Sequence, residues 1–290
     1  MKKILLISTL LFAVFINGKA QDVAVPDSLD GWQLNWVAGL NGSQAAYSNW
    51  SQGGVNNIAF TGNSSFSATY KKERFSYIFA FITRYGQTKI EGEGVRKTDD
   101  RLAVRNRFLY DLGADRESDF KLFGNVNFRT QFSKGYRYGD APDGSDVLIS
   151  DFMAPGYLSE NAGMAYVPSD NFSFEAGLGL QQTFVSDESL STLYGLDEGD
   201  TFRNEAGLTF AIAYERNIAT NLSISSSVET FTNLNKAVSS TDIFVNNQFT
   251  GKINDFMNAS LRLDFIYDDD FSKELQVAQV LSVGVSFILI

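Results

Sequence analysis

The chain has no cysteine, no histidine and only four prolines. Beyond its first apolar stretch, no run reaches the ~18 apolar residues that a membrane-spanning helix needs. Without cysteine there are no disulfides, no thiolate chemistry and no lipid attachment through a thiol. Without histidine, Ser–His and Asp–His catalysis and zinc–histidine centres are excluded. An enzyme would have to work with carboxylates alone, so a catalytic role is not expected, and neither a cofactor nor a metal ion is implied. The formal net charge of −10 argues against a nucleic-acid partner, since such affinity comes largely from basic contacts to phosphates. What the chain does have is 25 phenylalanines and 12 tyrosines, and this aromatic richness with little proline suits β-strands.

The segment from Arg74 to Gly86 shows the pattern most clearly. Its odd positions are Phe75, Tyr77, Phe79, Phe81, Thr83 and Tyr85; its even ones are Ser76, Ile78, Ala80, Ile82 and Arg84. Successive side chains of a strand point to opposite faces, so an aromatic face backs onto a small, wetter one. A tilted strand crosses a bilayer in about ten residues, which this segment supplies. The same alternation recurs between Asp100 and Asp111, where Leu102, Val104, Phe108 and Tyr110 oppose Arg101, Arg105 and Arg107. It recurs again between Phe120 and Phe132, where the apolar row opposes Lys121, Asn125, Asn127, Arg129 and Gln131.

Taken in order, the segments predict about twelve strands, within a range of roughly ten to fourteen. They start near Trp32, Ile58, Arg74, Asp100 and Phe120, and the later ones end near Val167, Val185, Arg216, Thr232, Gly251, Tyr267 and Phe287. Connections alternate. Gly42–Asn56, Gln87–Asp99, Ser133–Asp151, Ser186–Thr201 and Asn233–Ser240 are long and polar, whereas Lys71–Glu73, Pro168–Asp170, Asn217–Ala219 and Lys252–Asn254 are tight. Even strand number with alternating short and long connections is the pattern of outer-membrane barrels. The expected fold is therefore all-β, a transmembrane antiparallel up-and-down barrel over residues 32–290. It is preceded by a signal peptide (1–20: Met1-Lys2-Lys3, an apolar run, then small residues up to Ala20) and a loose periplasmic segment (21–31). The expected location is the cell outer membrane, with outer-membrane lipid and the barrel-assembly machinery as partners. Closure follows from physics, because an unpaired backbone group in hydrocarbon costs several kcal/mol.

On this pattern the lumen receives Arg101, Arg105, Arg107, Lys121, Arg129, Glu175, Glu205, Glu215, Glu229, Arg262 and Asp264. Basic residues cluster in the fourth and fifth strands and acidic ones in the seventh to ninth. Two readings stay open: a transverse field that orients a polar or anionic solute, or charges that pair and merely keep a water-filled lumen polar. In the loops, Trp50 is a candidate for stacking on a surface glycan or for an anchor at the membrane interface; Asp99 and Asp100, the Asp140/Asp143/Asp146 series, and Asp268, Asp269 and Asp270 form acidic clusters that match no twelve-residue calcium loop. The function expected is a narrow pore or transporter for a small polar solute. The alternative is an interaction barrel with a closed lumen, whose outer loops bind a partner or surface polysaccharide.

Five blocks at the strand–loop junctions carry a family resemblance: WSQGGVNN (Trp50–Asn57), KTDDR (Lys97–Arg101), FRTQFSKGY (Phe128–Tyr136), DFMAPGYL (Asp151–Leu158) and IYDDD (Ile266–Asp270). In these the chain resembles the Bacteroidetes outer-membrane proteins filed as domain of unknown function 3078. The resemblance implies an outer-membrane barrel without an established activity, and it assigns no catalytic or binding residue.

Overall fold

The computed structural model describes residues 25–26, 28–47, 55–113, 118–268 and 272–290. The expected signal peptide lies outside the described residues. Among the described residues no helix is long and apolar enough to cross a membrane. The strands are β1 (Gly31–Ala45), β2 (Asn57–Lys72), β3 (Phe75–Ile90), β4 (Gly94–Asp111), β5 (Phe120–Thr130), β6 (Gly135–Arg137) and β7 (Val147–Ser150). They continue with β8 (Gly156–Ser169), β9 (Phe172–Phe184), β10 (Phe202–Ala219), β11 (Leu222–Asn233), β12 (Asp242–Lys252), β13 (Met257–Asp268) and β14 (Ser272–Ile288). Twelve of them close into one barrel in sequence order, with β5 beside β8 and β14 returning to β1. The short β6–β7 hairpin stands apart within the β5–β8 connection.

Directly paired residues share a face, so the register sorts the whole wall into two surfaces. One continuous row runs Trp36, Phe66, Phe81, Val104, Phe128 and Leu158. This is the outer surface. Its side chains include Trp32, Leu178 (62% exposed) and Leu281 (75% exposed), and rings pack along it, as where Tyr77 stacks on Phe108 at 4.9 Å. So wide an exposed apolar surface has no place on a soluble monomer, but it is the lipid-facing belt that a closed barrel needs.

The inner surface is uneven. Around β4, β5 and β8 it is packed by Leu109, Phe123, Ala165 and Val167. Where β8 meets β9, Gly163 lies opposite Gly177. A Cβ on Gly163 would collide with the Ala176 carbonyl and come within 2.6 Å of the Gly177 Cα, so this approach requires glycine. On the β11–β14 side, inward-facing Glu229, Asn246, Gln248 and Val280 are exposed, so a water space remains there.

The connection expected over Gln87–Asp99 is mostly strand. Gln87 pairs with Lys97, Thr88 with Arg96 and Lys89 with Val95, and residues 91–93 turn between Gly92 and Gly94, whose φ angles are +87° and +84°. Polar residues extend the ladder readily once it leaves the bilayer, because no apolar face is required in water. For the same reason β1 runs on to Ala45, past the predicted end of the first strand near Asn41. Pro155 immediately precedes the first residue of β8, a placement that spares a ladder hydrogen bond.

Candidate functional site

Every charged residue predicted to face the lumen does lie on the inner row of the register. The structure brings these residues together in distinct ways. Arg107 on β4 donates to Glu175 on β9, which also accepts from Asn125 Nδ2 at 3.0 Å. Lys121 meets Asp111 at 2.8 Å. Glu205 is held by Arg203 at 3.0 Å, Asn233 at 2.6 Å and Lys236 at 3.4 Å.

One network spans the lumen. Arg262 Nη2 on β13 donates to Asp99 Oδ2 on β4 at 3.1 Å, Arg84 Nε reaches the same oxygen at 2.7 Å, and Arg262 Nε lies 3.1 Å from Asp264. The strands β13 and β4 are separated by β14, β1, β2 and β3, so this strap runs from wall to wall. A second crossing comes from Arg129 on β5, whose guanidinium lies 4.5 Å from the Tyr157 ring centre and 5.2 Å from that of Phe244 on β12. Cation–π contacts of this kind hold a guanidinium in place without neutralising it.

Some of these lumenal charges are paired and others are not. Pairing neutralises Arg107, Lys121, Glu175, Glu205 and Arg262. By contrast, among the described residues the side chains of Arg101, Arg105 and Glu229 have neither a hydrogen bond nor an ion pair. Glu215 faces inward from the far end of β10, opposite Ser225.

The acidic loop candidates need correction. Asp99 and Asp100 are strand residues of β4, brought there by the hairpin extension described above. Asp99 belongs to the lumenal strap. Asp100 faces the other way and accepts from Phe132 N at 2.8 Å, from Ser133 N and Oγ at 3.0 Å each, and from Lys97 Nζ at 3.0 Å. It anchors the start of the β5–β8 connection. Asp268 ends β13, while Trp50, Asp269 and Asp270 lie outside the described residues. In the Asp140/Asp143/Asp146 series, Asp140 meets Arg137, Asp143 accepts from Ser145 and Asp146 accepts from Gly139 N. No group of three or more potential metal ligands occurs among the described residues.

At the long-loop end, two connections fold onto each other. A 3-10 turn over Glu188–Tyr194 starts at Asp187, whose carboxylate accepts from Ser189 N at 3.0 Å. Those hydrogen bonds, led by the one from the Ser189 hydroxyl, hold the Asp187 pKa below its ordinary value. Leu190, Tyr194 and Leu196 pack with Ala154 and Val185, and the Tyr194 hydroxyl donates to the Ile149 carbonyl at 2.6 Å. Burial pushes the Tyr194 pKa up to about 12. The block Asp151–Leu158 thus serves to dock this cap: Ser186 N donates to the Met153 carbonyl and Ser186 Oγ to the Phe152 carbonyl.

Sequence reasoning missed Asp99 as a lumenal residue, together with Arg84, Tyr157 and Phe244. Arg84 carried a signal, since it lies on the small-residue face of its strand. Phe244 carried none, because Ile243, Phe244 and Val245 form an unbroken apolar run.

A closed antiparallel barrel with an apolar exterior and a charged, partly wet interior is a transmembrane β-barrel. Within it, residues 43–136, a span that holds three of the five blocks, match the family described as "Protein of unknown function (DUF3078)". No curated protein matches the chain. The fold is similar to the translocator domain of the autotransporter NalP from Neisseria meningitidis, with 13% identity, TM-score 0.40, and 90% of this chain and 89% of that one covered. It is also similar to an outer membrane channel from Pseudomonas putida F1, with 11% identity, TM-score 0.41, and 93% and 98% covered. At these scores the likenesses carry no functional weight. The assignment rests on the closed strand order and the apolar belt.

Proposed function

We propose that the chain is a non-enzymatic conduit of the outer membrane, placed there by the barrel-assembly machinery, that passes a small polar solute through a narrow lumen. The observation that carries this reading is the wet strip of inner wall along β11–β14, where Glu229, Asn246, Gln248 and Val280 are inward-facing yet exposed. The Asp99 strap narrows that route and places fixed charge across it, which is how charged pores select.

The test is single-channel recording of the refolded chain in planar bilayers. Asp99→Asn removes the anchor of Arg262 and one negative charge, so larger, more anion-preferring current steps are expected. A second reading, an interaction barrel with a closed lumen, draws support from the compact cap around Tyr194 and from the crossing of Arg129 to Phe244. Absence of current across many verified insertions of both proteins would sink the conduit and leave that alternative.

A further inference from the structure

We propose that Arg101, Arg105 and Arg129 form a binding site for a small oxoanion, a phosphate or carboxylate group, on the inner wall of the barrel. In its consequence for transport this rests on the conduit reading; the site itself does not require it.

The argument starts from the register. Arg101 and Arg105 lie four residues apart on the inner face of β4, and Arg129 on β5 pairs with Ala103 between them. The small Ala103 side chain, buried at 2% exposure, sits between the three arginine positions on the inner face. Arg101 is moreover directly opposite Arg84 on β3, and like charges in facing positions are destabilising.

The other lumenal arginines have found acids: Arg84 and Arg262 share Asp99, Arg107 has Glu175 and Arg203 has Glu205. These three have not. Arg101 Nε is buried without a hydrogen-bond partner, as are those of Arg84, Arg107, Arg203 and Arg262, but each of those four lies against a carboxylate and Arg101, among the described residues, does not. Arg105 has neither hydrogen bond nor ion pair among the described residues, and Arg129 only lies over the Tyr157 and Phe244 rings. Among the described residues the Glu229 side chain makes neither a hydrogen bond nor an ion pair with any of the three.

A barrel that pairs its charges elsewhere thus leaves three adjacent forks unmatched beside a water space. Guanidinium forks match the planar, doubly accepting edge of a carboxylate or phosphate, and the ring contacts hold Arg129 ready for it. Such a site would favour anions in the lumen even though the chain as a whole is acidic.

The test is isothermal titration calorimetry of the full chain in non-ionic detergent at fixed ionic strength, with inorganic phosphate in one arm and succinate in the other. Saturable binding is expected in wild type. Loss of one charge-assisted fork should weaken it at least ~10-fold in Arg101→Gln and in Arg105→Gln. Arg101→Gln relieves the contact with Arg84, so this variant should refold readily; Arg105→Lys keeps the charge, loses the fork and should fall between. The stronger arm identifies the oxoanion. No saturable heat in either arm, or unchanged affinity in all three variants, overturns the site. Phosphate or succinate binding without current in bilayers would defeat the conduit and leave the site standing. Current without binding would do the reverse.

Discussion

Replacing Leu281 by arginine puts the membrane assignment itself at risk. Leu281 lies near the middle of β14, opposite Leu261, on the outer surface, and is 75% exposed. If that surface faces hydrocarbon, a guanidinium there costs about 2–4 kcal/mol. This corresponds to a roughly 30- to 700-fold shift in the folding equilibrium, at ~1.4 kcal/mol per decade. On a surface facing water the same change would stay within about ±0.5 kcal/mol. Ala278, three residues earlier on the inner row, is exposed and lies opposite Asp264, so Ala278→Arg is the control and should cost much less. Reversible denaturant titration in lipid vesicles, followed by tryptophan fluorescence, reads both. If Leu281→Arg costs under ~1 kcal/mol, or no more than Ala278→Arg, the outer row does not face lipid and the assignment of the two surfaces is wrong.

Two further outcomes are expected. Gly163→Ala should destabilise the barrel by about 1–3 kcal/mol through overpacking against backbone, whereas Gly62→Ala, with nothing within 4 Å of the added methyl, should be tolerated; thermal unfolding in detergent that fails to separate the two would refute the close approach of β8 and β9. The buried Tyr194 phenol, raised from 10.0 to about 12, stabilises the cap fully below pH 10, and that contribution disappears as pH rises through about 12. Protease nicking of residues 186–201 should therefore increase in that window, and in Tyr194→Phe it should be raised already at neutral pH, because the Ile149 carbonyl loses its donor; identical pH profiles for the two proteins would count against the phenol's role.

The strands were legible from residues such as Phe75 to Tyr85 because a period of two survives wherever one face meets lipid and the other water. The same alternation put Arg101, Arg105, Arg107 and Arg129 on one side before any fold was known, and the alternating connection lengths pointed to twelve strands. Polar extensions beyond the bilayer lose that contrast, which is why the β3–β4 hairpin read as a loop and Asp99 as a loop acid. The partners across the lumen were out of reach for a different reason. Arg262 and Asp99 are 163 residues apart in sequence, and which strands face one another depends on how the sheet tilts and closes. Alternation along a strand assigns a side chain to a face; only closure of the barrel chooses what stands opposite it. Closure joined Arg107 to Glu175 and Arg262 to Asp99, and, among the described residues, left Arg101, Arg105 and Arg129 without an ion pair.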